Sequence, residues 1–250
     1  MGPQGIRQAI LCALPVAAMA GALVLFDPFA QPLYYHDFAD RRAFLGIANF
    51  ADVASNLAFL VVGTLGLFHC LRFRPPGARL AWTVFFLGLV LVSFGSGAYH
   101  RSPDNGTLVW DRLAMMIGFM GLYVALVAEY VGAGLEKHLL PPALFAGLGA
   151  VLYWHGVDDL RFYFALQATV FVSAAVILAA FESTFRQKAF ILAMFACHLG
   201  AMALEQLDHQ VFSWTGGVVG GHALKHLMAG FGGYWIYRML VARRKEAGAR

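Results

Sequence analysis

Apolar residues in this chain come in blocks of about 17 to 25, parted by short polar connections, and a block of that length is what a helix needs to cross roughly 30 Å of hydrocarbon. Eight such blocks can be laid out, at about 6–26, 47–71, 79–99, 108–131, 139–155, 162–181, 187–206 and 216–241. Water cannot be the main solvent of such a chain. It is 60% hydrophobic and 13% charged, with a mean hydropathy of +0.67, where a soluble domain is nearer a quarter charged. The 250 residues therefore read as one transmembrane domain: an all-α, polytopic membrane helix bundle with a seven-helix core plus one N-terminal helix.

Two blocks carry further signals. The first has Arg7 near its start and the run Ala17-Ala18-Met19-Ala20 inside it, so residues 1–26 read either as the extra helix or as a cleaved signal peptide. Removing it leaves seven helices and the same topology for the rest. The block at 139–155, the shortest, opens with Pro141 and Pro142, which suit a helix start.

Lys and Arg divide between the two faces of this layout. One face collects Arg7, Arg72, Arg74, Arg79, Lys137, Arg186, Lys188, Arg238, Arg243, Arg244, Lys245 and Arg250, and the other holds Arg41, Arg42, Arg101 and Arg161. The positive-inside rule makes the first face cytoplasmic and places both termini there. The loops 27–46, 100–107, 156–161 and 207–215 then face outward. Arg243-Arg244-Lys245, in a basic tail at 242–250, is expected to hold the cytoplasmic end against anionic lipid. The net charge of +4 thus reports orientation in a membrane, and nucleic acid is not an expected partner. Cys12, Cys70 and Cys197 lie scattered in apolar segments and read as small core residues. The Ala, Gly, Leu and Arg bias suits a GC-rich bacterium, hence an inner membrane.

The polar residues gather at the outer end. Ser96 and His100 close the 79–99 helix there, and Asp111 opens the next helix on the same side. His222 and His226, four apart, project from one face of the last helix, a spacing that lets two imidazoles grip one ion. A lone histidine in an apolar helix is more often a satisfied hydrogen-bonding group. Three histidines and an aspartate at one level, where burial is costly, point instead to a metal site. Three His ligands with an open fourth position form the catalytic type of zinc site. Asp111 either completes the tetrahedron or, the preferred reading, serves as general base. Ser96 either steadies an oxyanion or orients Asp111, unless it simply satisfies its own i−4 carbonyl.

The run Gly95-Ser96-Gly97-Ala98-Tyr99-His100, Asp111 eleven residues later, and Gly221-His222-Ala223-Leu224-Lys225-His226 resemble the SxxxH, D and HxxxH motifs of the alkaline ceramidase family. That family belongs to a superfamily of seven-helix metal hydrolases that includes progestin and adipoQ receptors and proteins that remodel GPI anchors. Ile47-Ala48-Asn49-Phe50-Ala51-Asp52-Val53-Ala54-Ser55-Asn56 resembles the start of the family's first core helix, and Asp208 its acidic residue before the last. The resemblance spans about residues 34–241. It implies a zinc amidase that cleaves the N-acyl bond of ceramide-like lipids to a long-chain base and a fatty acid. His100, His222 and His226 would hold Zn2+, and Asp111 and Ser96 would assist. The family also carries a Ca2+ site ahead of this helix. Asn49 stands at the position resembling that site's last glutamate, with Asp37, Asp40 and Asp52 nearby. The extra N-terminal helix suggests a bacterial branch whose substrate need not be ceramide.

The lipid substrate would enter from the bilayer, and the active site would face the non-cytoplasmic side. A lipid esterase, a lipid-sensing receptor and a proton-coupled pore are the competing functions; oligomeric state stays open. His36, Asp37, Asp40, Arg41 and Arg42 read as a solvated outer loop. Asp208, beside His209, would orient a ligand imidazole. Glu129, Gln167, His198 and Glu205 read as interhelical hydrogen-bonding groups, and His155, Asp158 and Asp159 have no assignable partner. Gly216-Gly217 and Gly220-Gly221 would allow close helix approach.

Overall fold

The computed structural model describes residues 3–183, 185 and 187–248. Arg186 and Arg250 of the cytoplasmic set lie outside the described residues, as do the side chains of Arg7, Cys12, Arg244 and Lys245. The described residues form α1 (Pro3–Leu25), α2 (Phe50–Ser55), α3 (Leu57–Phe73), α4 (Arg79–Arg101), α5 (Asn105–Tyr130), α6 (Leu135–Val157), α7 (Arg161–Ala180), α8 (Lys188–Gln206), α9 (Asp208–Trp214) and α10 (Gly221–Gly248), with a 3-10 turn at Leu33–His36. A break at Asn56 separates α2 from α3, and together they make one span.

Among the described residues, six helices are long and apolar enough to cross a membrane: α2 with α3, α4, α5, α6, α7 and α8. The chain is a multi-pass helical membrane protein. The apolar stretch of α1 is shorter, Ala13–Leu25. The 28-residue α10 falls short because polar residues sit at both its ends, His222, Lys225 and His226 at the start and Arg238 and Arg243 later on.

Helix α5 is the axle of the bundle, with residues buried on all sides from Leu108 to Tyr130. It packs against α4 with backbones nearly touching. A Cβ on Gly88 would lie 2.4 Å from the Gly118 nitrogen, and one on Gly121 would lie 2.6 Å from the Phe85 nitrogen. Such small-residue contacts let membrane helices gain dispersion energy where no hydrophobic drive exists between them. They also fix the register that carries His100 and Asp111 to the same end. A capping box starts α5: Asp104 Oδ1 accepts from the Thr107 backbone N–H at 2.6 Å, and the Thr107 side chain accepts from the Asp104 N–H. The helix therefore begins three residues earlier than its apolar block.

The loops assigned outward do meet at one end. Residues 27–49 cross that end as a strap. Gln31 donates its backbone N–H to Asp158 (3.1 Å), Leu160 donates to the Phe29 carbonyl (3.0 Å), Ala39 to Asp208 Oδ2 (2.9 Å), and Arg42 Nη2 to the Val218 carbonyl (2.7 Å). Helix α1 packs on α7, and its Leu11 carbonyl accepts from Tyr123 of α5 at 2.7 Å.

Three local expectations are corrected. Pro141 and Pro142 lie inside α6, which starts at Leu135. The run Leu135-Glu136-Lys137-His138 reads as a polar connection, yet Glu136 accepts from the Ala81 backbone N–H at 2.9 Å and helps bring this turn against α4. Arg243 is no lipid anchor. It is 2% exposed, and its guanidinium meets Glu129 at 2.5 and 2.8 Å and Gln187 at 2.9 Å, under the Phe185 ring. Gly216 and Gly217 adopt positive φ, with no neighbour a Cβ would clash with, so they shape a turn. Close approach belongs to Gly221, where a Cβ would lie 2.3 Å from the Leu204 carbonyl.

Candidate metal centre

His100 closes the outer end of α4, while His222 and His226 occupy the first two turns of α10. All three are buried, and one nitrogen from each lies within 4.8 Å of the others. They are positioned to bind a metal ion. Nε2 of His100 and Nε2 of His222 are 3.2 Å apart. Two nitrogens each at about 2.0–2.1 Å from a tetrahedral zinc would be separated by roughly 3.3 Å, so the spacing fits such an ion.

Hydrogen bonding sets the third ring's orientation. Ser55 Oγ donates to the Asp52 carbonyl (2.9 Å) and sits 2.8 Å from His226 Nδ1. A hydroxyl has one proton to give, so His226 Nδ1–H is the donor in that second contact, and Nε2 keeps its lone pair for an ion. The break at Asn56 lets the α2 turn reach the histidines. Asn49, at the left-handed start of α2 (φ 48°), donates from Nδ2 to the His100 carbonyl at 2.7 Å. The Phe38 ring packs edge-on against both His100 (4.7 Å) and His222 (4.6 Å). Above it opens a recess lined by His36, Phe38, Arg41, Asn49 and Pro103.

Asp208 differs from its expected role. Its two oxygens accept backbone N–H groups, from His222 (2.9 Å) and Ala39 (2.9 Å). It therefore pins the first turn of α10 to the strap and holds no imidazole. Asp111 and Ser96 are both buried near this end, but neither joins the three-histidine set. Ser96 lies one turn before His100 on α4. Gly95 brings the Trp110–Asp111 backbone against α4, with a Cβ there only 2.5 Å from the Trp110 carbonyl.

The acids of the strap are committed elsewhere. Asp37 pairs with Arg41. Asp40, 2% exposed, takes a two-pronged bond from Arg42 at 2.8 and 2.6 Å. Those bonds hold the Asp40 carboxyl below the usual carboxylate range. Asp37, Arg41 and Arg42 are exposed, as expected of a solvated loop, while Asp40 is buried, and among the described residues these acids and Asp52 form no three-ligand group. His36 bonds Tyr99 (2.9 Å) and Asn105 (3.0 Å), and His209 bonds the Asp37 carbonyl (3.1 Å).

Sequence reasoning passed over a second polar line beside the histidines. Lys225 Nζ lies 2.5 Å from Glu205 and 3.4 Å from His222 Nε2, and Tyr35 donates to Glu205 at 3.3 Å. Burial, with Glu205 next, pushes the Tyr35 hydroxyl well above its ordinary pKa, so it stays a donor. The signal was present in two intramembrane charges of opposite sign, Glu205 and Lys225, at one level. Glu205 and Glu129 do bond between helices. Gln167 bonds Tyr163 within α7 instead (2.8 Å), and His198 sits against the Phe119 and Phe171 rings. Asp159 is held by Arg161 and Tyr153.

No family model matches this chain, and no curated protein matches it either.

Proposed function

We propose that the chain is a membrane-embedded zinc hydrolase that cleaves the N-acyl bond of a ceramide-like lipid, releasing a long-chain base and a fatty acid. One observation carries this reading: three buried imidazoles from two helices converge, with His100 and His222 Nε2 3.2 Å apart and no carboxylate in the set. A closed structural site takes four protein ligands, whereas three histidines leave a position for water or substrate. An all-imidazole set without thiolate also suits zinc. Zinc held by these residues supplies Lewis acidity, which polarises an acyl carbonyl and makes a water easier to deprotonate.

The remaining roles fall to the chain's own groups. Asp111, outside the ligand set, accepts the proton of the attacking water and returns it to the leaving amine. Ser96 donates to the carbonyl oxygen as charge develops there. Ser55 keeps the His226 tautomer, and Phe38 shields the imidazoles from bulk water. The charge pattern of the loops supports a non-cytoplasmic position for this end, the Ala, Gly, Leu and Arg bias supports a bacterial inner membrane, and the lipid arrives from the bilayer.

Incubating purified protein with N-acyl sphingoid lipids and measuring released base by mass spectrometry tests the reading. Release is expected from the wild type, none from His222→Ala or after chelation, and a loss of about 10² to 10⁴ in Asp111→Asn with metal retained. Equal release from wild type and His222→Ala would refute it.

A further inference from the structure

Arg112 follows Asp111 on α5, and its side chain turns into the space between α5, α6, α7 and the strap. It is 3% exposed, yet it takes part in none of the ion pairs among the described residues. Its Nη2 donates to Gln31 Oε1, a neutral acceptor. Its Nη1 is buried and has no hydrogen-bond partner. Three rings surround the guanidinium carbon: Trp154 at 4.1 Å, Tyr163 at 4.7 Å and Tyr35 at 5.7 Å from their centres. Aromatic faces offset part of the cost of burying a cation, but they give its N–H groups nothing to donate to.

The neighbours share that lack. Trp154 Nε1, in the ring stacked on the guanidinium, is also buried without a partner. Tyr163 accepts from Gln167 at 2.8 Å, which leaves its own O–H free to donate. Guanidinium and indole can only donate. The missing partner must therefore be an acceptor, and opposite a buried positive charge it is best an anion.

We infer that Arg112, Trp154 and Tyr163 form a binding site for an oxyanion, a phosphate or sulfate-type group. Arg112 lies seven residues into α5, roughly 10 Å along the helix at 1.5 Å per residue, and the exposed Leu33 and Tyr34 flank the strap beside it. That setting suits the headgroup of a lipid whose chains run down the bundle. Tyr35 joins this cage to the histidine end, since its ring faces Arg112 and its hydroxyl bonds Glu205. The site needs neither a metal nor turnover and stands whether or not the hydrolase reading holds.

Equilibrium binding and melting shifts of the detergent-purified chain, with inorganic phosphate, dioleoyl phosphatidate and neutral dioleoylglycerol as probes, provide the test. The wild type should bind phosphatidate saturably and ignore dioleoylglycerol. Trp154→Phe keeps an aromatic face toward the guanidinium but loses the N–H, and binding should weaken about tenfold or more, the loss expected for a hydrogen bond to a charged group. Arg112→Gln should abolish binding. The His222→Ala/His226→Ala protein should bind as the wild type does, which separates this site from the metal centre. Phosphate binding with the same variant dependence would assign the site to a soluble anion, and phosphatidate binding alone to a headgroup; both outcomes support an oxyanion site. Equal binding by wild type and Trp154→Phe, or binding by neither probe, would overturn it.

Discussion

The two ends of this bundle handle buried polarity in opposite ways. At the end near Arg243, the strongest buried charges meet each other. Glu129 accepts from Arg243 twice, from Trp82 Nε1 (2.7 Å) and from the Ala78 N–H (3.1 Å). At the histidine end, by contrast, Asp52 Oδ1 and Oδ2, Asn56 Oδ1, His100 Nδ1, Arg112 Nη1 and Trp154 Nε1 are buried with no partner. Unmet polar atoms inside a membrane bundle are costly, and each calls for a partner. The first end is a structural clasp, and the second holds the three histidines positioned for a metal ion and the Arg112 cage.

Exchanging damage between the ends breaks the comparison most sharply. His222→Ala/His226→Ala should remove bound metal altogether and abolish base release, while the metal-free protein melts within a few degrees of the metal-free wild type. Glu129→Ala should do the reverse. It leaves a buried guanidinium unpaired, a loss of about 3–5 kcal/mol, readable as a large drop in melting temperature with metal per folded chain unchanged. A smaller effect separates ligand from support. Ser55→Ala should keep the site but weaken metal affinity about 10- to 100-fold, the usual cost of losing a ligand's orienting partner, measurable by competition with a chelator. Smallest is Asp104→Ala, which uncaps α5 and should cost about 1 kcal/mol without altering metal affinity.

What the sequence disclosed depended on range. Blocks of apolar residues marked the long helices because lipid imposes length and composition on each block separately. His100, His222 and His226 could be placed together because their helix ends share one face of the membrane, a constraint that soluble folds lack. Cross-chain pairing was hidden. Nothing local to Arg243 shows that its partner is Glu129, so a buried ion pair looked like a basic tail. Asp208 lies beside the site in any reading, yet only the strap's course shows that its oxygens take backbone N–H groups. Ser55 reaches His226 only because α2 breaks from α3 at Asn56, a feature with no Gly or Pro to announce it. Arg112 was overlooked because it adjoins Asp111 and sits within an apolar block, where its aromatic cage comes from three other segments.

The most direct test is metal content by elemental analysis of wild-type protein purified without chelator, beside His222→Ala/His226→Ala and Glu129→Ala. About one zinc per chain in the wild type and in folded Glu129→Ala, and none in the histidine variant, is the predicted result. Wild-type protein free of metal, or a histidine variant that keeps it, would contradict the metal centre and with it the proposed chemistry.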